Sequence, residues 1–294
     1  MDKKNYLKGL GYGGSAFIIW GLLPLYWKLV SDINPYQIFA HRVVWSLIFV
    51  SMIMLMQGEL KTFTNLIKDK KNWLLILAPT LFISVNWLTY IWGVNNGYVI
   101  ETSLGYYMNP LVLTLLGSIF YKEKLDKLQL IGIILATVGV LVKIFYYGKV
   151  PILALVLAIS FAIYGLLKKQ SKFSSILGLG FETLLVGIPA GLFMIFTEMS
   201  GQGISGNLPL NFWFLIAMSG VVTAVPLLLY AEGTKILPLK IVGFLQYIAP
   251  TIGLFLGIFV FKEPFTLSEL VPFIIIWMGL ICFVYSQIKI LKST

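Results

Sequence analysis

Residues 104–142 read LGYYMNPLVLTLLGSIFYKEKLDKLQLIGIILATVGVLV, and residues 244–282 read FLQYIAPTIGLFLGIFVFKEPFTLSELVPFIIIWMGLIC. Set together at an offset of 140 residues, the two stretches need no gap and agree at nine of 39 positions. Apolar matches come cheaply in such sequence, so the weight falls on Tyr107/Tyr247, Pro110/Pro250, Gly117/Gly257, Gly139/Gly279 and the Lys122-Glu123/Lys262-Glu263 pairs. Val85, Leu88, Tyr90 and Gly93 meet Val225, Leu228, Tyr230 and Gly233 at the same offset, and WGLL at 20–23 resembles YGLL at 164–167 at a slightly different one. The chain is therefore a duplication, with halves at 1–148 and 149–294.

Working outward, 59% of the 294 residues are hydrophobic and 12% charged, with a mean hydropathy of +0.90. That leaves too little polar surface to cover a soluble globule of this length, so the chain reads as an integral membrane protein. Ten apolar runs are long enough to cross about 30 Å of hydrocarbon, near 9–29, 36–57, 73–95, 99–121, 128–147, 151–168, 175–197, 211–232, 239–261 and 267–289. They are continuously apolar and do not alternate at period two, which predicts helices rather than barrel strands. The fold class expected is an all-α polytopic membrane protein of ten transmembrane helices. The longest loops are 58–72 and 200–210, and the first run is retained as a helix rather than cleaved as a leader, since it lacks a small-residue cleavage site.

Counting basic residues alternately across ten spans puts seventeen lysines on the side of both termini. The other side receives four, Lys28, Lys143, Lys149 and Lys262, with Arg42 inside a helix. The positive-inside rule then sets both termini in the cytoplasm of a multi-pass cell-membrane protein. Five spans per half is an odd number, so the second half enters the bilayer from the opposite side and the repeat is inverted. The lysines lie between apolar runs and do not line one face, so the net charge of +10 reads as membrane orientation and not as nucleic-acid binding. The single Cys282 excludes an intramolecular disulfide and a cysteine metal cluster. No cofactor or metal is expected.

Ionisable groups inside a span cost several kcal/mol unless paired or wetted, roughly 3 kcal/mol on insertion scales. His41 and Arg42 lie about two turns into the second span, and Glu101 begins the fourth from the same outer side, at a depth that allows them to pair. The alternative is that Glu101 favours its helix N-terminus while Arg42 snorkels. Glu182 enters the seventh span from the inner side, where pairing with a lysine, a bond to a neighbouring helix and a substrate or proton role all stay open. Strips of small and amide-bearing residues mark Asn86, Tyr90 and Gly93, then Glu101, Gly105, Met108 and Asn109, then Gly243, Gln246, Pro250 and Gly253. Such strips serve either close helix packing or a cavity for an organic solute. Pro110 and Pro250 are mid-helix at equivalent positions, as static kinks or as hinges.

Several strings carry a resemblance. WGLLPLYWK at 20–28, HRVVWS at 41–46, SVNW at 84–87 with YIW at 90–92, ETSLGYYMNPL at 101–111 and GFLQYIAPT at 243–251 resemble the RarD subgroup of the EamA transporter family, in the drug/metabolite transporter superfamily. The resemblance spans nearly the whole chain. It implies two inverted five-helix repeats around a central cavity open to one side at a time, and export of a small organic metabolite or drug-like solute. It implies a cavity-lining, substrate-binding role for Trp20, His41, Arg42, Asn86, Trp87, Glu101, Tyr106, Asn109, Gln246 and Tyr247. Energy from ATP is not expected, because no phosphate-cradling glycine loop with its lysine is present. Proton coupling would draw on His41, Glu101 and Glu182. The rival is a membrane-embedded enzyme on a lipid-soluble substrate, which needs clustered nucleophiles, bases or metal ligands that one histidine and one cysteine do not supply. An enzyme is accordingly not expected.

Overall fold

Buried in hydrocarbon, a backbone must satisfy its own hydrogen bonds, and long apolar runs do so as helices. The computed structural model describes residues 2–204, 209–262 and 267–293 and contains no strand among them. Its helices are α1 (Lys3–Lys28), α2 (Pro35–Met56), α3 (Leu60–Lys68), α4 (Trp73–Asn95), α5 (Val99–Tyr121), α6 (Lys127–Tyr147), α7 (Ile152–Gln170), α8 (Ser175–Met199), α9 (Leu210–Ile236), α10 (Leu239–Leu245), α11 (Ile248–Phe255) and α12 (Leu267–Ser293). Among the described residues, nine spans are both long and apolar enough to cross a membrane. α1 has the length, 26 residues, but its glycines and tyrosines leave it less apolar than those nine.

Local signals set the ends. Asn34 accepts from the Tyr36 amide ahead of Pro35 and starts α2. Asp126 and Gln129 form a reciprocal capping box at the start of α6, satisfying two amides that would otherwise lack partners. Lys122 and Lys262, equivalent in the repeat, both adopt the left-handed conformation, with φ of 52° and 54°. The duplicated lysine thus takes the same backbone conformation in both halves; Glu263 lies outside the described residues.

Two departures from the sequence reading stand out. The stretch 58–72, expected as a loop, contains the amphipathic helix α3, whose Phe63 is buried and stacks on Phe181 of α8 at 4.6 Å. The ninth span is not one rod. It breaks at Gln246–Tyr247 between α10 and α11 and continues as a π-helical turn, Leu256–Val260. Pro250 has no amide to return to the Gln246 carbonyl, which opens the ladder at that point.

The inversion is visible in how equivalent helices meet. α6 and α12 pack antiparallel: Gly132 lies against Gly279, while Gly139 lies against Ile276 and the Pro272 carbonyl. A Cβ at Gly279 would stand 2.6 Å from the Gly132 carbonyl oxygen, so only glycine permits this approach. α5 and α10 are antiparallel too, with Gly117 beside Leu239 and Gly243 on the Pro110 carbonyl. At their crossing the repeat partners Tyr107 and Tyr247 bond directly, the Tyr247 hydroxyl donating to the Tyr107 carbonyl at 3.3 Å. Three further contacts come in matched sets: α1 with α9 as α7 with α4, α2 with α9 as α8 with α4, and α1 with α11 as α7 with α5. That is the pattern of a pseudo-two-fold axis in the membrane plane.

Glu123 closes the scheme. Its carboxylate accepts from the Leu239 and Lys240 amides at 2.8 and 2.9 Å, capping α10. The Lys122 turn therefore lies at the start of the ninth span, whose far end leads to Lys262; its 22 residues would cover about 33 Å if straight, an upper limit for the broken span.

Candidate solute site

Arg42 projects from α2 into a cage of rings. Its guanidinium lies 5.6 Å from the Trp27 centroid, 5.7 Å from Phe39 and 5.2 Å from Trp87, within the range of cation–π attraction. Tyr90 of α4 and Tyr106 of α5, with ring centroids 5.8 Å apart, are within its electrostatic reach. The Tyr106 ring is flanked by α2, α4 and α5 residues, yet half of the residue is open, at 50%. Tyr106 thus offers free aromatic surface beside the caged cation. The Nε–H of Arg42 is buried and has no hydrogen-bond partner among the described residues.

Successive helical positions are about 100° apart, and His41 accordingly faces elsewhere. Its ring is 3% exposed and meets Trp213 of α9 edge-on at 6.0 Å, with Nδ1 unbonded. Glu101 is buried in the first turn of α5, where the helix dipole favours a carboxylate. Among the described residues no ion pair joins it to His41 or Arg42.

The amides are engaged in holding helices. Asn86 donates to the Leu157 carbonyl at 2.9 Å and to Ser160 Oγ at 3.1 Å, tying α4 to α7. Asn109 donates to the Ala158 carbonyl at 3.1 Å and keeps a buried, unbonded Oδ1. Gln246 sits at the break of the ninth span with Nε2 buried and unbonded, next to the Tyr247 stitch.

A second cluster lies toward the other end of the bundle. Trp20 packs with Phe17, Phe161 and Tyr230 at 5.3, 5.9 and 5.6 Å. Tyr230 stacks on Tyr164 at 6.2 Å, and the Tyr164 hydroxyl donates to Glu182 at 2.9 Å. Lys168 forms an ion pair with Glu182, its Nζ also 5.2 Å from the Tyr164 ring. The sequence reading puts Lys168 at the inner end of the span 151–168; the structure buries it, because α7 runs on to Gln170 and brings the residue over Glu182. Glu182 follows Arg42 by the same 140 residues that separate Tyr230 from Tyr90. The two clusters are thus repeat-equivalent: one is a cation in a partly open aromatic cage, the other a neutralised pair under closed aromatics.

Comparison with known proteins fits this frame. A model of the EamA-like transporter family matches residues 7–145 and again 148–285. The chain belongs to the EamA-like transporter family. The transporter YojE of Bacillus subtilis (strain 168) is 45% identical over 98% of this chain and 97% of its own. Protein RarD of Escherichia coli (strain K12) is 35% identical over 100% of this chain and 99% of its own, and Protein RarD of Salmonella typhi 36% over 98% of each. These relatives put this EamA-like chain in the RarD subgroup. A crystal structure of a protein 16% identical shares the fold with a TM-score of 0.72, covering 93% of this chain and 96% of the other. The chain is a multi-pass membrane transporter.

Trp27, Phe39, Tyr164 and Lys168 were missed as site residues by sequence reading. Carrying the 140-residue offset from Tyr90/Tyr230 back to position 42 would have drawn attention to the Arg42/Glu182 pair, since both are ionisable in spans.

Proposed function

We propose that this transporter exports a small organic solute across the cell membrane by alternating access, with the solute held between two five-helix halves, 1–148 and 149–294, and both termini in the cytoplasm. α1 serves as the tenth span. One observation carries this reading: the repeat-equivalent clusters differ in state, the Arg42 cage being partly open and the Glu182 cluster shut. In an inverted duplex each half can adopt the other's conformation, so exchanging the two states moves the opening from the outer to the inner side. Arg42, Trp87 and Tyr106 contact the solute from the outer half. Trp20 meets it from the inner side once Tyr164 and Tyr230 part. Glu101, Asn109 and Gln246 complete the chamber, Asn86 and Tyr247 fix its walls, and His41, turned to Trp213, holds α2 against α9. Pro110 and Pro250 are its hinges, the latter already at a helix break. His41, Glu101 and Glu182 are the groups through which proton coupling would run.

The test is release from proteoliposomes loaded with a bacterial metabolite extract, analysed by mass spectrometry against empty-lipid controls. Specific loss of one or a few solutes, reduced in Arg42→Ala and Glu101→Gln at equal folded protein, supports transport at this site. Release no faster than from protein-free liposomes would remove the transport reading.

A further inference from the structure

The Arg42 cage is built for a cation and holds one with nothing opposite it. Among the described residues no carboxylate comes within ion-pair distance of Arg42. Its Nε–H is buried and unbonded, and its visible partners are the faces of Trp27, Phe39 and Trp87. Ring faces attract the charge, but none accepts the in-plane hydrogen bonds of a guanidinium. Burying such a donor without an acceptor is costly, and planar guanidinium is the group best matched to a carboxylate. The equivalent position in the other half shows the completed version, Glu182 matched by Lys168 and Tyr164.

Resting on the transport reading above, we propose that the solute is an organic acid with a flat unsaturated or aromatic body, its carboxylate bound by Arg42. The body stacks on the half-exposed Tyr106, where planarity is rewarded. The carboxylate replaces water as acceptor for the Nε–H and one terminal N–H, a two-point charge-assisted bond. A zwitterion satisfies the same requirement, since Arg42 reads only its carboxylate. A neutral amide of the same shape offers one uncharged acceptor and forfeits the charge term, which lowers its apparent affinity at least about tenfold. Arg42→Lys keeps the charge and loses the fork, so it retains selectivity for acids at reduced affinity.

The experiment loads proteoliposomes with phenylacetate, indole-3-acetate, phenylalanine and tryptophan, together with the amide of each and two uncharged nucleosides, and follows release of every component. The proposal expects carboxylate-bearing members to leave at least about tenfold faster than their amides. It expects Arg42→Gln to erase that preference while its melting temperature stays near wild type, and Arg42→Lys to restore part of it. Acids and amides leaving at equal rates, nucleosides or amides leaving alone, or an acid preference surviving in Arg42→Gln would each overturn the organic-acid assignment and leave transport standing. If no component leaves while the metabolite-extract assay shows specific release of other solutes, the assignment falls by itself; if both assays are silent, the transport reading falls with it.

Discussion

Removing either partner of the Lys168–Glu182 pair is expected to destabilise the protein far more than removing both. The side chains are 4% and 1% exposed, so a lone survivor is a buried charge without compensation. For such a site the loss is about 3–5 kcal/mol, whereas replacing both by apolar residues of similar volume is neutral or stabilising by about 1–4 kcal/mol. The Tyr164 hydroxyl donates to the same carboxylate, and stranding it in Glu182→Leu adds about 1 kcal/mol to that variant alone. Lys168→Met and Glu182→Leu should therefore each lower the apparent melting temperature by about 10 °C, taking 2–4 °C per kcal/mol for a chain of this size. The double variant should recover most of that. The assay is unfolding in mild detergent, followed by a thiol-reactive dye at the single, partly buried Cys282 and by tryptophan fluorescence as a second probe. Transport adds a second readout: the stable double variant should release solute slowly, because an apolar contact holds the inner cluster shut. Single variants melting within about 2 °C of wild type, or losses that simply add in the double variant, would refute the claim that these groups form one buried unit.

Other consequences follow from packing. Gly279→Val puts side-chain atoms against the Gly132 carbonyl, where a Cβ alone would already be 2.6 Å away; the α6–α12 seam should open at a cost of about 1–3 kcal/mol, read as reduced melting temperature and yield. Asn86→Leu breaks the tie from α4 to α7 and should cost about 1–2 kcal/mol, lowering melting temperature; transport scaled to folded protein should be less affected than in Arg42→Gln. Asp126 lies just outside the bilayer, where burial would raise its carboxyl pKa, but the bonds from Ser286 and the Gln129 and Leu128 amides, with Lys240, hold it below the ordinary value. Its contribution should be complete above the unfolded carboxylate pKa, about 4, and fade as pH falls through the lower folded value. Asp126→Ala should flatten that acid limb and cost about 1 kcal/mol.

How much could be read before the structure varies by element. The span positions were legible because hydrocarbon admits few backbones and the apolar runs are long; α2, α4 and α5 begin and end within a residue or so of the reading. The inversion was legible from an odd span number and the 140-residue offset. The break at Gln246 was legible in part, since Pro250 was marked as a kink or hinge; that the equivalent Pro110 would sit in an unbroken helix was not, because the same residue has two outcomes set by neighbours on other helices. Lys168 was illegible for a related reason: beside Lys169 and Lys172 it reads as interfacial, and its partner is fourteen residues later on another helix. α3 was lost within a polar stretch whose apolar face, with Phe63, becomes meaningful only against α8. At the site, the ionisable residues were flagged as membrane charges, but their pairing was not. His41 and Arg42 are adjacent in sequence and face different helices, and Glu101 bonds to neither.

The antiparallel duplex itself can be checked with two single cysteines. In a Cys282→Ser background, Lys122→Cys and Lys262→Cys are exposed in intact cells to a membrane-impermeant maleimide, then again after permeabilisation. The proposed orientation, both termini cytoplasmic, predicts immediate labelling at position 262, with position 122 protected until the membrane is opened. Labelling of both from the same side would contradict the inversion and with it the shared chamber.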